Sequence, residues 1–161
     1  MQEFSQKYVL VHAIQDWPDV YEYSMEDWPL HVTLAGTFSI EGEPADLIKD
    51  LGHVLASLPI ARAKVVDEAW FGKDENIHVM LLDRTKDLQD LHEKILEVLE
   101  NHHVQFNSPE YAGKNFRPHA TVQKSAQLKV GDVVTFDSVT LIDMFPDKNP
   151  YQRRVLGTIQ L

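Results

Sequence analysis

Two short runs carry the same residue types in the same order: Pro29-Leu30-His31-Val32-Thr33-Leu34 and Asn115-Phe116-Arg117-Pro118-His119-Ala120-Thr121-Val122. Each contains His-x-Thr followed by an aliphatic residue, with a proline shortly before. Side chains in an extended strand alternate faces. His31 and Thr33 therefore share one face and Val32 and Leu34 the other, and His119 and Thr121 divide in the same way from Ala120 and Val122. Each copy offers an imidazole and a hydroxyl roughly 7 Å apart along the strand, at about 3.3 Å per residue. The apolar side is left to anchor the strand. Two such strands face to face would enclose a cleft with two imidazoles and two hydroxyls. One copy is a common chance pattern, most simply a histidine at a strand edge. Two matched copies are not.

That set of groups suits phosphate ester chemistry. A neutral imidazole takes a proton from the attacking water or hydroxyl while a protonated one gives a proton to the leaving oxygen. The threonine hydroxyls donate to non-bridging oxygens, where charge redistributes in the transition state. The scheme calls for no metal and no cofactor.

The elements that must position these residues are legible from periodicity and punctuation. Lys7–Ile14 reads as a strand, Asp19–Asp27 as a short helical crossover, and His31–Phe38 as the first motif strand. Pro44 opens a helix whose apolar residues (Leu47, Ile48, Leu51, Val54, Leu55, Leu58) recur at helical spacing up to Pro59. Ala61–Phe71 and Ile77–Leu82 form a hairpin across Lys73-Asp74-Glu75-Asn76. A second helix runs from Lys86 to His102, capped by Thr85, with Leu88, Leu91, Ile95, Val98 and Leu99 on its stripe. The loop 105–118 leads into the second motif strand, His119 to about Lys124. Val133–Phe145 and Arg154–Leu161 close the chain as strands on either side of a loop at 146–151. The predicted fold is α+β: a bilobal, duplicated arrangement with two mainly antiparallel sheets flanking a central cleft and helices outside, residues 1–161 forming one domain.

With 161 residues and no cysteine, the chain can bury a core without staples, and thiolate chemistry is excluded. No run is long enough for a signal-peptide core or a membrane span, so a cytoplasmic protein is expected, as a monomer and with no membrane partner. A net charge of −10 argues against tight binding of long nucleic acid. Acids without Lys or Arg fill the stretch between Lys7 and Lys49, read as a solvated surface. The opposite bias surrounds His119, where Lys114, Arg117, Lys124 and Lys129 stand without an acid and could attract a small or terminal phosphate.

With both motifs in place, the sequence resembles the 2H phosphoesterase superfamily, which includes RNA 2′,3′-cyclic phosphodiesterases and 2′-5′ RNA ligase-like proteins. The resemblance rests on His31-Val32-Thr33-Leu34 and His119-Ala120-Thr121-Val122 and extends, through length and element order, over nearly the whole chain. It implies that His31 and His119 form the acid–base pair, that Thr33, Thr121 and Arg117 hold the phosphate, and that the substrate is a 2′,3′-cyclic phosphate or a related small or terminal nucleotide, the family's reactions including cyclic phosphate opening and trimming of RNA ends. If the acids near His31 and the bases near His119 also lie near them in space, His31 is the better acid and His119 the better base.

Other candidates have plainer readings. His12 and His78 are expected as hydrogen-bonded structural histidines, His53 and His92 as surface residues, and His102-His103 as partners of a helix C-terminus. Phe116 and Tyr151 are the aromatic residues chosen to stack on a base. Strand alternation puts Gln123, not Lys124, on the His119 face. Two other classes compete: a module that binds a phosphorylated ligand or RNA end without turnover, and a metal protein built from His31, His119 and His12 or His78.

Overall fold

The computed structural model describes residues 6–14, 22–123 and 126–161. Its strands and helices arise where apolar periodicity places them. In chain order they are β1 (Tyr8–Ala13), β2 (Glu22–Ser24), β3 (His31–Ser39), α1 (Pro44–Leu55), β4 (Ala61–Phe71), β5 (Ile77–Leu82), α2 (Lys86–Asn101), β6 (Gln105–Phe106), β7 (His119–Thr121), β8 (Val133–Phe136), β9 (Ser138–Asp143) and β10 (Gln152–Gln160). Pro44 starts α1, and the Thr85 hydroxyl accepts from the Leu88 N–H to cap α2.

The architecture is α+β, as the sequence implies. Strands pair in the order β2-β10-β9-β1-β3-β7-β5-β4-β8, every ladder antiparallel, with β6 beside the end of β3. Both helices lie on one face. Leu47, Leu51 and Leu55 of α1 and Leu88, Leu91, Ile95 and Leu99 of α2 pack with Leu10, Val32, Leu34, Met80 and Ala120 from the strands below. Alternation then turns His31, Thr33, His119 and Thr121 to the other face. A second, smaller cluster forms on that face from Val9, Val11 and Ile142, with Trp28, Met144 and Val155 packed on it.

Three expectations are corrected. The motif strands do not face each other across a gap: β3 and β7 are neighbours in the sheet, joined through Val32↔Ala120. The stretch Asp19–Asp27 holds no helix among its described residues. Glu22–Ser24 is an edge strand on β10, fastened where Arg154 Nε donates to Glu22 at 2.7 Å. Finally, Val133–Phe145 is not one strand. It breaks at Asp137, so β8 pairs with β4 and β9 with β1 and β10. An apolar run shows that a segment is buried but not that one sheet neighbour serves all of it.

α1 approaches β10 closely at Gly157, where a Cβ would stand 2.9 Å from Ile48 Cδ1. Gly157→Val is therefore expected to lower stability by about 1–3 kcal/mol through overpacking. Gly157→Ala should cost less, since the Ile48 methyl can swing aside. Urea unfolding of the two variants measures the difference.

Candidate functional site

The site begins with backbone register. In an antiparallel ladder Val32↔Ala120 sets His31 opposite Thr121 and Thr33 opposite His119. The outer ladders agree: Ala13↔His31 and Val11↔Thr33 on one side, Leu81↔His119 and Val79↔Thr121 on the other. The two histidines thus stand on a diagonal of one patch, with roughly 7–8 Å expected between diagonal Cα atoms. The two threonines occupy the other diagonal.

Each imidazole is held in the same way. Nδ1 of His31 lies 2.7 Å from the Pro29 carbonyl oxygen, and Nδ1 of His119 lies 2.8 Å from that of Arg117. A carbonyl oxygen only accepts, so each Nδ1 carries the hydrogen and each neutral ring has its lone pair on Nε2. The proline before each motif helps set the backbone that makes this return bond possible.

The surroundings are also matched. His31 packs on Trp28 (4.6 Å between ring centres) and His119 on Phe71 (4.9 Å). A guanidinium lies over each aromatic ring: Arg153 Cζ is 5.7 Å from Trp28 and Arg117 Cζ 5.0 Å from Phe71. The two arginines then differ. Arg153 is buried, and its Nη1 donates to the carbonyls of Met144, Pro150 and Gln152. Arg117 is exposed.

Burial pushes the pKa of both imidazoles down. His31 is lowered further by His119, and His119 by the Arg117 cation, while the carbonyl bonds oppose the shift. The pair therefore senses its own charge. The sequence suggested carboxylates as the source of asymmetry, but the charges acting on the pair are His119 on His31 and Arg117 on His119.

A groove of about 720 Å³ opens from Thr33 and His119. Its walls come from β3 as far as Thr37, from the end of the β4–β5 hairpin (Trp70, Phe71, Glu75) and from residues 106–117 of the loop before β7. Among the described residues, Arg117 is the only lysine or arginine on these walls. His31 and Thr121 stand beside the groove rather than on its walls.

Of the remaining sequence candidates, Phe116 borders the groove but is only 6 % exposed, with His92 stacked flat on it (3.9 Å, 8° between planes). Tyr151 is 69 % exposed and lies off the groove. Lys124 falls outside the described residues. His12 bonds the Ser138 carbonyl, and His78 bonds Glu68 at 2.8 Å and stacks on Trp70 (4.3 Å, 11°). Among the described residues no three His, Asp or Glu side chains converge to hold a metal.

His92 is the clear correction. Expected at the surface, it is 2 % exposed. Its Nδ1 lies 2.7 Å from the Leu34 carbonyl oxygen, and its Nε2 accepts from the Gly113 N–H at 3.0 Å. One signal pointed to it: 88, 91, 92, 95 and 99 are all positions of the buried stripe of α2. Trp70 is the second residue underweighted. One face of its ring is covered by His78, yet it remains 55 % exposed at the groove.

Comparison with known proteins bears on the family and the fold. The family model described as the 2′-5′ RNA ligase superfamily matches residues 5–135. No curated protein matches. Among solved structures, a phosphoesterase aligns with a TM-score of 0.59 at 14 % identity, covering 98 % of this chain and 99 % of its own. E. coli LigT complexed with 3′-AMP aligns with a TM-score of 0.59 at 13 % identity over 98 % and 99 %. LigT complexed with NADP+ gives 0.57 at 13 % over 99 % of both chains.

Four histidines of the folded chain, His12, His31, His92 and His119, have pKa values below the ordinary 6.5, in each case chiefly through burial. As pH falls through the unfolded value, the unfolded chain takes up these protons first, so their contribution to stability is present above that pH and lost below it. The urea midpoint is expected to drop between about pH 7.5 and about pH 5.5. A midpoint that stays level or rises contradicts the assignment.

Proposed function

We propose that this chain, which belongs to the 2′-5′ RNA ligase superfamily, is a metal-independent phosphoesterase opening a 2′,3′-cyclic phosphate on a small or terminal nucleotide. The supporting observation is the matched pair of imidazoles, each held through Nδ1 by a backbone carbonyl and each left with Nε2 for proton transfer. A charge on His119 disfavours one on His31, which favours a singly protonated pair offering one acid and one base together. Burial and the Arg117 cation disfavour the charged form of His119, while burial and the charge on His119 disfavour that of His31, and the pH profiles of the two variants assign base and acid. Thr33, Thr121 and Arg117 hold the non-bridging oxygens.

The groove accounts for substrate size. With Arg117 its only lysine or arginine among the described residues and Glu75 also on its wall, it suits one phosphate with an attached nucleoside better than a polyanion. Trp70 is the ring offered to the base. His78, fixed by Glu68, backs one face and leaves the other open. Since β3 and β7 carry one motif each, both lobes act as a single catalytic unit.

Purified protein assayed on 2′,3′-cyclic nucleotide monophosphates is expected to turn over in the presence of EDTA. His31→Ala and His119→Ala should each fall by about 10²–10⁴-fold. Loss of the acidic limb of the pH profile in residual His119→Ala activity makes His119 the base, whereas loss of the basic limb makes it the acid. Binding without turnover would favour a recognition module, and EDTA sensitivity would favour a metal protein. Trp70→Ala is expected to raise KM roughly tenfold, the weight of about 1–3 kcal/mol of stacking. Substrate should quench tryptophan fluorescence in the wild type and much less in the variant.

A further inference from the structure

The loop that delivers Arg117 is fixed through its backbone by α2 and by Arg84 just before it. Gly113 has φ +74, a conformation that suits glycine and turns its peptide toward α2. There its N–H donates to His92 Nε2 at 3.0 Å, while its carbonyl accepts from Gln89 Nε2 at 2.9 Å. Arg84 Nη1 donates to the carbonyls of Lys114 (2.6 Å) and Phe116 (3.1 Å). The Phe116 ring then lies flat on His92. Arg117 follows directly.

His92 differs from Gln89 and Arg84 in reaching both the first motif strand, β3, and the loop that leads into β7. Its other nitrogen holds the carbonyl of Leu34, the residue after Thr33. One planar ring thus joins the backbone beside the Thr33 hydroxyl to the backbone leading into Arg117. The bonds also fix its state. The Leu34 carbonyl requires a hydrogen on Nδ1 and the Gly113 N–H requires a lone pair on Nε2, so His92 is neutral with one defined tautomer. It is too occupied to act on substrate.

We propose that His92 is a positioning residue for phosphate capture: its two ring nitrogens set the spacing between Thr33 on β3 and Arg117 before β7. This rests on the reading of Thr33 and Arg117 as phosphate ligands. A side chain that only filled the core would leave that spacing to the sheet. His92 instead cross-links the loop to the strand on the helix side. A displacement of about 1 Å at such a grip is enough to cost on the order of 10²-fold in rate.

The test compares His92→Phe, which keeps a ring against Phe116 but makes neither hydrogen bond, with His92→Gln, whose amide has one donor and one acceptor. Both are combined with Arg117→Ala. Two readouts run in parallel: binding of inorganic phosphate followed by the Thr33 amide and Arg117 Nε NMR signals, and turnover of 2′,3′-cyclic nucleotides. His92→Phe is expected to weaken phosphate binding and raise KM by roughly tenfold, with a smaller change in kcat. His92→Gln should recover part of the loss, and His92→Phe should add little in the Arg117→Ala background. Wild-type ring nitrogens should show the Nδ1–H tautomer and the Gly113 amide slow exchange. Equal loss with and without Arg117, wild-type phosphate binding in His92→Phe, or the opposite tautomer overturns the proposal. Phosphate binding that depends on His92 in a protein without turnover would overturn the phosphoesterase reading and leave this one standing.

Discussion

The site depends on one pairing, that of β3 with β7. Neither motif strand could place its imidazole alone, since the working geometry is the diagonal across the ladder fixed at Val32↔Ala120. The hydrogen bonds there are worth only about 1 kcal/mol each in net stability. Their register is secured from beneath, where Val32, Leu34 and Ala120 are buried against the helices. A slip of one residue would send the histidines into the core and these apolar side chains into the groove. Burying a side chain the size of Val or Leu stabilises by roughly 1.5–3 kcal/mol. The core thus acts as the lock on the chemistry above it.

On the groove side, near-symmetry and its breaking both matter. Each imidazole is tied to the carbonyl two residues before it, rests on an aromatic ring and has an arginine beyond that ring. The Trp28 side is closed, its arginine engaged by three carbonyl oxygens. The Phe71 side opens on the groove with an exposed arginine. Two similar half-sites therefore present different electrostatics on the two sides of the β3–β7 ladder.

Much of this was legible in the chain. The bounds of β4 and β5 follow from alternating residues and a polar turn, and α2 from its stripe and the Thr85 cap. The motif pair located the histidines because local alternation decides which side chains share a face. What escaped depends on partners distant in sequence. That β3 and β7 are neighbours, that the apolar run after Val133 divides between two sheet positions, and that Glu22–Ser24 adds to β10 are long-range pairings with no local trace. The choice of Phe116 and Tyr151 as stacking rings rested on their nearness to loops. Burial under His92 and distance from the groove could not be read from that. His92 shows the limit most clearly, since its polarity suggested solvent while its place on the α2 stripe put it inside.

The order of strands has a consequence for how the chain acquires its shape. β1 lies between β3 and β9, so Val9, among the first residues described, has Ile142 as its partner. The small apolar cluster beneath Trp28 draws on β1 and β9, with Val155 of β10 packed against it. A growing polypeptide can assemble the β4–β5 hairpin and both helices early from nearby segments. The half around His31 must wait until β9 and β10 have been made. Such distant closure slows folding and leaves strand edges bare meanwhile. During synthesis, then, the His31 half is the one most in need of protection from wrong partners.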